Sequence, residues 1–564
     1  MAHQGSARPA RERGAGNGNG RLKRHAIAAA LLGLASAGAL AQQNASAPST
    51  FVEEIRQRER EQAQRDAQEK TVDAHLQGAA PVLTQRLPDT EPPCFRIDRI
   101  TLGGEASTQF QWLLDTVAGE DGTDSPIGRC LGTNGINTVL ARMQQALIGK
   151  GWVTTRVLAG AQDLGSGTLG LTLVPGRLAA IRFGDKVDPS HTTSLRTAIP
   201  ARVGDLLNLR DIEQGLENFR RLPTAEADIR IEPSTAADAR PGDSDLVVLY
   251  QRKRPLRVSL SLDDSGTEAT GKTQAGATLA WDGPLGLNDL AYVNVNHDAF
   301  NHSGQGTRGA TLHYSVPFGY WLLGATASQS SWRQTIAGYS QNFAYSGEQG
   351  NAEVRLARLI HRDATSKTTV SVRAFQRTSD TYIEDVEVPP QHRIVGGWEL
   401  GLNHRRFIGA ATLDANLAYR RGTRGIGAIE ASENQFGEGT SRMRLVTADV
   451  SLNAPFQLGE QRLRYAGLWR AQWNQTPLTP QDRFAIGGRY SVRGFDGEAS
   501  LLGDRGWLLR NDLGWALGQS GAEAYVGIDY GHVGGRASRD LVGTDLAGAV
   551  IGVRGEFKGL NYDV

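Results

Sequence analysis

From Leu256 onward, apolar and polar positions alternate along segments of about ten residues separated by turns. This is the pattern of strands with one apolar and one wet face. Strands are expected near 256–264, 273–282, 288–297, 308–316, 320–330, 350–359, 366–376, 396–405, 411–420, 444–454, 462–474, 505–516, 522–533 and 546–557. The connections alternate in length. Long ones run 298–307, 331–349, 377–395, 421–443, 475–504 and 534–545, while Asp282 to Asn288, Pro317 to Tyr320, Phe407 to Ala410 and Gly518 to Gly521 are short and carry turn residues. An up-and-down barrel with short periplasmic turns and long outer loops has this rhythm; a soluble sandwich does not require it. In Trp507 to Trp515, one face holds Trp507, Leu509, Asn511, Leu513 and Trp515, and the other Leu508, Arg510, Asp512 and Gly514. Eight steps of ~3.3 Å tilted by ~45° rise roughly 19 Å, which sets one Trp near each edge of an apolar band. Asn511 is the exception on that face.

Before Leu256 the period is mixed. Ile100 and Leu102 suggest a strand. Phe110, Leu113, Leu114 and Val117 recur at helical spacing, as do Ile136, Val139, Leu140, Met143 and Leu147. Trp152 to Val157 and Thr168 to Val174 read as strands. The order is β-α-α-β-β, and it repeats. Leu178 to Phe183 is a strand, 190–199 a helical stretch, Ile212, Leu216 and Phe219 a helix, and 227–232 and 245–252 two more strands. Each unit is long enough for a small α/β core. Further upstream, Thr50 to Glu53 reads as a capping box that opens a helix over 51–70. That helix has no large apolar residue after Ile55, so it must sit in water or inside a wet cavity. Residues 72–93, with several prolines, read as a linker.

The N-terminus changes the compartment. A basic, glycine-rich leader ends in Arg21 to His25, an apolar run follows from Ala26, and Ala39-Leu40-Ala41 is a small-x-small cleavage site. Residues 1–41 are therefore expected to be a secretory signal peptide, with the mature chain starting near Gln42. An oxidising compartment allows Cys94 and Cys130 to pair. Composition narrows the class further. A net charge of +1 in 564 residues leaves no electrostatic footprint for nucleic acid. No run of 18 apolar residues predicts a helical span, and the 68 glycines, against an average near ~7%, suit turns and barrel positions. Metal-ligand spacing, a Walker A motif and a nucleophile elbow are all lacking, so no enzyme, cofactor, metal or small-molecule substrate is expected.

The loop 475–504 is too dense in aromatic, aliphatic and cationic residues to float in water. Its segment Asp482 to Phe495 is expected to fold back inside. An arginine there needs a carboxylate. Asp529 lies opposite the apolar face of Val526, Ile528 and Tyr530, with Gly527 and Gly531 leaving space beside it. Arg493 with Asp529 is the preferred pair. The alternative is a solvated Arg493, with Asp529 held by a strand neighbour such as Arg510.

Two sets of motifs carry a family resemblance. One is Val492-Arg493-Gly494-Phe495 preceded by Arg483-Phe484-x-x-Gly487. The other is Cys94-Phe95, Gly128 to Gly132, Gly151 to Val157, Gln162-Asp163-Leu164 and Leu173 to Arg177. These resemble the two-partner secretion transporters of the ShlB/FhaC/HecB (TpsB) family. The resemblance implies a mainly β fold. A signal peptide, a plug helix within 42–71, POTRA domains over 94–176 and 177–254, and a transmembrane antiparallel barrel of 16-stranded type from 255 are expected. It implies that the barrel passes a large, unfolded TpsA-type partner (haemolysin, adhesin or contact-dependent toxin) through the outer membrane without ATP, with activation of the partner as a further role. It also implies a lumen motif of Phe484, Gly487, Val492, Arg493, Gly494 and Phe495, with Arg493 paired to Asp529 on the thirteenth strand. The count gives fourteen complete strands and a fifteenth starting at Leu560, so the C-terminal strands are expected to be truncated. A barrel-assembly factor of the same superfamily is the alternative; a passive porin leaves the periplasmic domains without purpose.

Overall fold

The computed structural model describes residues 50–69, 72–76, 86–119, 121–185, 187, 193–300, 305–497, 500–518 and 520–564. The signal peptide expected over 1–41 lies outside them. The first element is a helix, α1 (Thr50–Gln68). The first small domain follows. It has strands β1 (Arg99–Gly104), β2 (Arg156–Leu158) and β3 (Thr168–Val174), a 3-10 helix over Ser107–Thr116, and helix α2 (Thr133–Gly149). β3 is central, parallel to β1 and antiparallel to β2. Phe110, Leu113, Val139, Met143, Leu147, Leu169 and Leu171 form its core. The apolar period predicted over 110–117 is thus real but wound more tightly than an α-helix. The strand expected over 152–157 shrinks to Arg156–Leu158, because Trp152 turns inward to pack edge-on against Phe110.

The second domain has β4 (Arg177–Phe183), α3 (Leu195–Ala198), α4 (Leu209–Arg220), β5 (Ala225–Pro233) and β6 (Asp243–Arg252). β6 is central, parallel to β4 and antiparallel to β5. The helical stretch expected near 190–199 is a single turn, closed at Ser194, whose Oγ accepts from the Thr197 N–H. Leu178, Ile212, Leu216, Phe219, Val248 and Tyr250 form a core that continues into Ala280, Leu290 and Tyr292 of the large sheet. This domain is therefore packed onto the sheet.

The 72–93 segment is not loose where it is described. Ala74 and Leu87 are buried, one in each domain core. Glu91 accepts from the N–H groups of Gly132, Asn134 and Gly135, satisfying the start of α2 where Gly132 has no side chain to do so.

The remaining chain forms one sixteen-stranded antiparallel sheet. Fifteen strands follow in chain order, β7 (Leu256–Asp263), β8 (Gln274–Asp282), β9 (Leu290–Asp298), β10 (Gly306–Phe318), β11 (Trp321–Ala337), β12 (Asn342–Arg362), β13 (Ser366–Ile383), β14 (Arg393–Ile408), β15 (Ala411–Thr423), β16 (Arg444–Leu458), β17 (Gln461–Asn474), β18 (Arg505–Ala516), β19 (Glu523–Gly534), β20 (Asp545–Phe557) and β21 (Leu560–Asp563). A two-residue strand, Val386–Glu387, folds back on β13. The outer face is apolar and exposed, as Leu256, Val258, Leu260 and Leu262 of β7 illustrate. Asn511, the polar exception, accepts from Tyr465 Oη at 2.6 Å and donates to the Ile528 carbonyl at 3.2 Å. β11 to β14 run well past the predicted strand ends, so the loops expected over 331–349 and 377–395 are mostly ladder. Beyond an apolar band both faces of a strand are polar, and the alternation that marks it in sequence fades while backbone pairing continues.

Candidate functional site

The interior of the sheet holds two guests, α1 and the loop between β17 and β18. Apart from Phe51, Val52 and Ile55 in its first turns, α1 is polar, and its polar sides find polar groups. Glu54 accepts from Ser379 Oγ at 2.5 Å, Glu61 from Ser328 Oγ at 3.1 Å, and Arg65 pairs with Glu353 at 2.9 Å. At its end, Arg257 donates to Gln68 and Glu69 meets His313 Nε2 at 3.0 Å. A helix that could not dock on an apolar core is thus held by a wet, charged wall. Beside it lies a cavity of about 460 Å³ bordered by Arg58, Glu59, Arg373, Arg420, Arg470 and Arg510.

The loop enters as a ribbon. Phe484–Ile486 pairs antiparallel with Leu501–Gly503. Phe484, Ile486 and Val492 bury against Leu508 and Val533. These apolar contacts bring Arg493 to the wall. Its Nε donates to Asp529 Oδ2 and its Nη2 to Asp529 Oδ1, both at 2.7 Å, and its backbone N–H donates to Oδ2 at 2.9 Å. Nη2 also donates to Asp512 Oδ1 at 2.6 Å. Two planar groups in bidentate register, with one carboxylate fully buried, form a strong and directional lock. Arg510 stands opposite Asp529 in the ladder, but its Nη1 turns to the Arg489 carbonyl.

The glycines make the close approach possible. A Cβ on Gly531 would lie 2.8 Å from Val492, and one on Gly527 2.7 Å from Arg493 Nη2. Gly487 and Gly494 have φ of +104° and +93°, which L side chains rarely adopt. Phe495 remains 39% exposed, unlike the other aromatic of the motif, Phe484. Cys94 and Cys130 are disulfide-bonded in the first small domain and take no part in this lock.

These features lie in a chain whose residues 242–555 match the model of the haemolysin secretion/activation protein family ShlB/FhaC/HecB. The chain belongs to the ShlB/FhaC/HecB family. Residues 95–176 match a ShlB-type POTRA domain and 177–233 a POTRA domain. The chain is 38% identical to outer membrane transporter CdiB-2 of Burkholderia pseudomallei (strain 1026b), over 90% of this chain and 89% of that protein. It is 25% identical to hemolysin transporter protein ShlB of Serratia marcescens, covering 72% of this chain and 71% of that one. The solved structure of CdiB from Acinetobacter baumannii superposes with a TM-score of 0.77 at 30% identity, over 92% of this chain and 94% of that one. A ShlB/FhaC/HecB member of this architecture is an outer-membrane transporter of two-partner secretion, with POTRA domains in the periplasm and TpsA-type proteins as the family's exported partners.

Four further residues take part in the site without a sequence signal for their role. Asp512 was legible as inward-facing, since it shares a face with Arg510 and Gly514, but its role as the second carboxylate needs the register that sets it opposite Gly527. Gly548 supports the loop from β20; a Cβ there would meet the Arg493 carbonyl at 1.7 Å. Arg56 of α1 donates to the Gly497 carbonyl at 2.5 Å, and Arg58 donates to that of Gln481, tying helix to loop. No local pattern signals such long-range pairs.

Proposed function

We propose that this transporter receives an unfolded, TpsA-type partner at its POTRA domains and passes it outward through its barrel without ATP. In this reading the Arg493 lock fixes the inward loop in the conformation that export requires. The partner would be a large β-helical protein of the haemolysin, adhesin or contact-dependent toxin type, and its folding outside the cell helps draw it through. The outer face of the barrel meets outer-membrane lipid. The observation that carries the reading is the buried Asp529 carboxylate taking three donors from one loop arginine. Undocking the loop would leave that buried carboxylate without its main partner, which is costly, so the pair holds the loop in place.

The test is secretion of the cognate partner by Arg493→Ala and Asp529→Ala variants. Both should still reach the outer membrane and both should lose export. Normal secretion by either variant would overturn the assigned role of the lock.

A further inference from the structure

The short segment after α1 lies in a groove that reads its backbone. Val72 to Leu76 has no secondary structure of its own. The Ala74 N–H donates to Glu217 Oε1 at 2.9 Å and the Leu76 N–H to Glu213 Oε1 at 3.0 Å. Between them, the Ala74 carbonyl accepts from Arg362 Nη2 at 2.7 Å. Glu213 and Glu217 are four residues apart on α4, so they share one face. They meet alternate N–H groups, the spacing of an extended chain.

The side chains are read as well. The Asp73 carboxylate sits between Lys367 Nζ at 2.5 Å and Arg405 Nη1 at 3.2 Å. The Ala74 methyl is sunk into the second domain's core at 3% exposure, which leaves no room for a longer side chain. His75 is exposed and rests on the edge of Phe407. Leu76 packs against the same core as Ala74. The walls come from α4 and from the periplasmic ends of β12, β13 and β14.

The groove is built around paired charge that the resident segment covers. The Glu213 and Arg362 side chains are 0% and 3% exposed and pair at 3.1 Å. Withdrawing the segment breaks three backbone hydrogen bonds to these charged groups, bonds that another extended chain can remake. Backbone recognition with three side-chain demands suits an unfolded ligand of varied sequence.

We infer that this groove is a peptide-binding site for an extended segment of the pattern acidic–small–any–apolar. The chain's own Asp73-Ala74-His75-Leu76 occupies it at rest, and a segment of the same chemistry in the exported partner takes its place. The inference rests on the transport reading above for the identity of that second ligand. Asp73 follows α1 by only a few residues, so exchange in the groove also loosens the anchor of the helix in the lumen.

The test uses the purified full-length protein in detergent and a fluorescent peptide of residues 70–79. Two variants, Ala74→Arg and Asp73→Lys, should expel the resident segment while leaving the groove intact. Heat-modifiable migration on gels checks that each barrel is folded. Fluorescence anisotropy should show the peptide binding both variants at least tenfold more tightly than the parent. The same peptide carrying Ala74→Arg should not bind. Failure to bind either variant, equal binding to parent and variants, or binding of the substituted peptide would each overturn the groove. Loss of the groove with partner secretion intact leaves the transport reading standing; absence of partner export by the parent overturns that reading without touching the peptide result.

Discussion

Replacing Asp529 with Asn keeps the shape of the side chain and removes its charge. Arg493 makes four hydrogen bonds, three of them to Asp529 and one to Asp512. Removing one partner of a buried ion pair costs roughly 3–5 kcal/mol, because the other charge is left without compensation. Asp512 keeps one bond, which places the cost at the lower end, ~3 kcal/mol. At 1.4 kcal/mol per factor of ten, the undocked loop should become about 100-fold more populated. Val492, next to the lock, is fully buried when the loop is docked, so a cysteine there reports undocking. Both native cysteines are tied in the disulfide and give no background. The assay is maleimide labelling of Val492→Cys with and without Asp529→Asn in purified outer membranes. A labelling rate that rises by about two orders of magnitude supports the reasoning. A change of less than about threefold means the apolar contacts of Phe484 and Ile486 hold the loop alone, and the lock is not what fixes it.

The same label should respond to Gly548→Ala, whose Cβ would strike the Arg493 carbonyl, but not to Gly543→Ala, which has nothing within 4 Å. Replacing Cys94 and Cys130 together with Ser opens a loop with a sequence separation of 36 and should lower the stability of the first periplasmic domain by roughly 4 kcal/mol in the loop-entropy model, read as its urea midpoint by pulse proteolysis of the whole protein. That midpoint should also depend on acid. Burial opposes ionisation of Asp124, but the Leu87 N–H and the Arg142 and Arg129 guanidinium groups outweigh it and hold the carboxyl below its ordinary value. A depressed acid contributes stability above its unfolded pKa, near ~3.9, and loses it as pH falls through the folded value. The midpoint should drop below about pH 4, and Asp124→Asn should flatten that part of the curve; an unchanged acid limb refutes the assignment.

Periodicity makes the strands visible where one face is apolar and the other polar. Val526, Ile528 and Tyr530 alternate with Gly527, Asp529 and Gly531, and that alternation alone placed Asp529 inside. Arg493 was legible because its neighbours Val492 and Phe484 are too apolar for a loop in water. What stayed hidden depends on register and distance in the chain. Gly548 carries no pattern that separates it from other barrel glycines; only the Arg493 carbonyl pressed against it gives it a role. Asp73 and Ala74 read as linker because local rules see prolines nearby and cannot see Lys367, Arg405 or α4 across the fold. Glu91 carries no sequence signal as a helix cap for the same reason, since it lies 41 residues before Gly132.

The long hairpins have a mechanical consequence. β12 spans 21 residues, so its twenty steps of ~3.3 Å, tilted by ~45°, rise roughly 47 Å, whereas the apolar band of such a protein is about 25 Å tall. The hairpins of β11 to β13 therefore extend roughly 20 Å beyond that apolar band, on the side away from the POTRA domain that holds Arg362. These long hairpins make the outer edge of the sheet uneven, a tall parapet over β11 to β13 beside the short strands β7 to β9. In the transport reading proposed above, a chain leaving along that parapet would meet water before it cleared the protein.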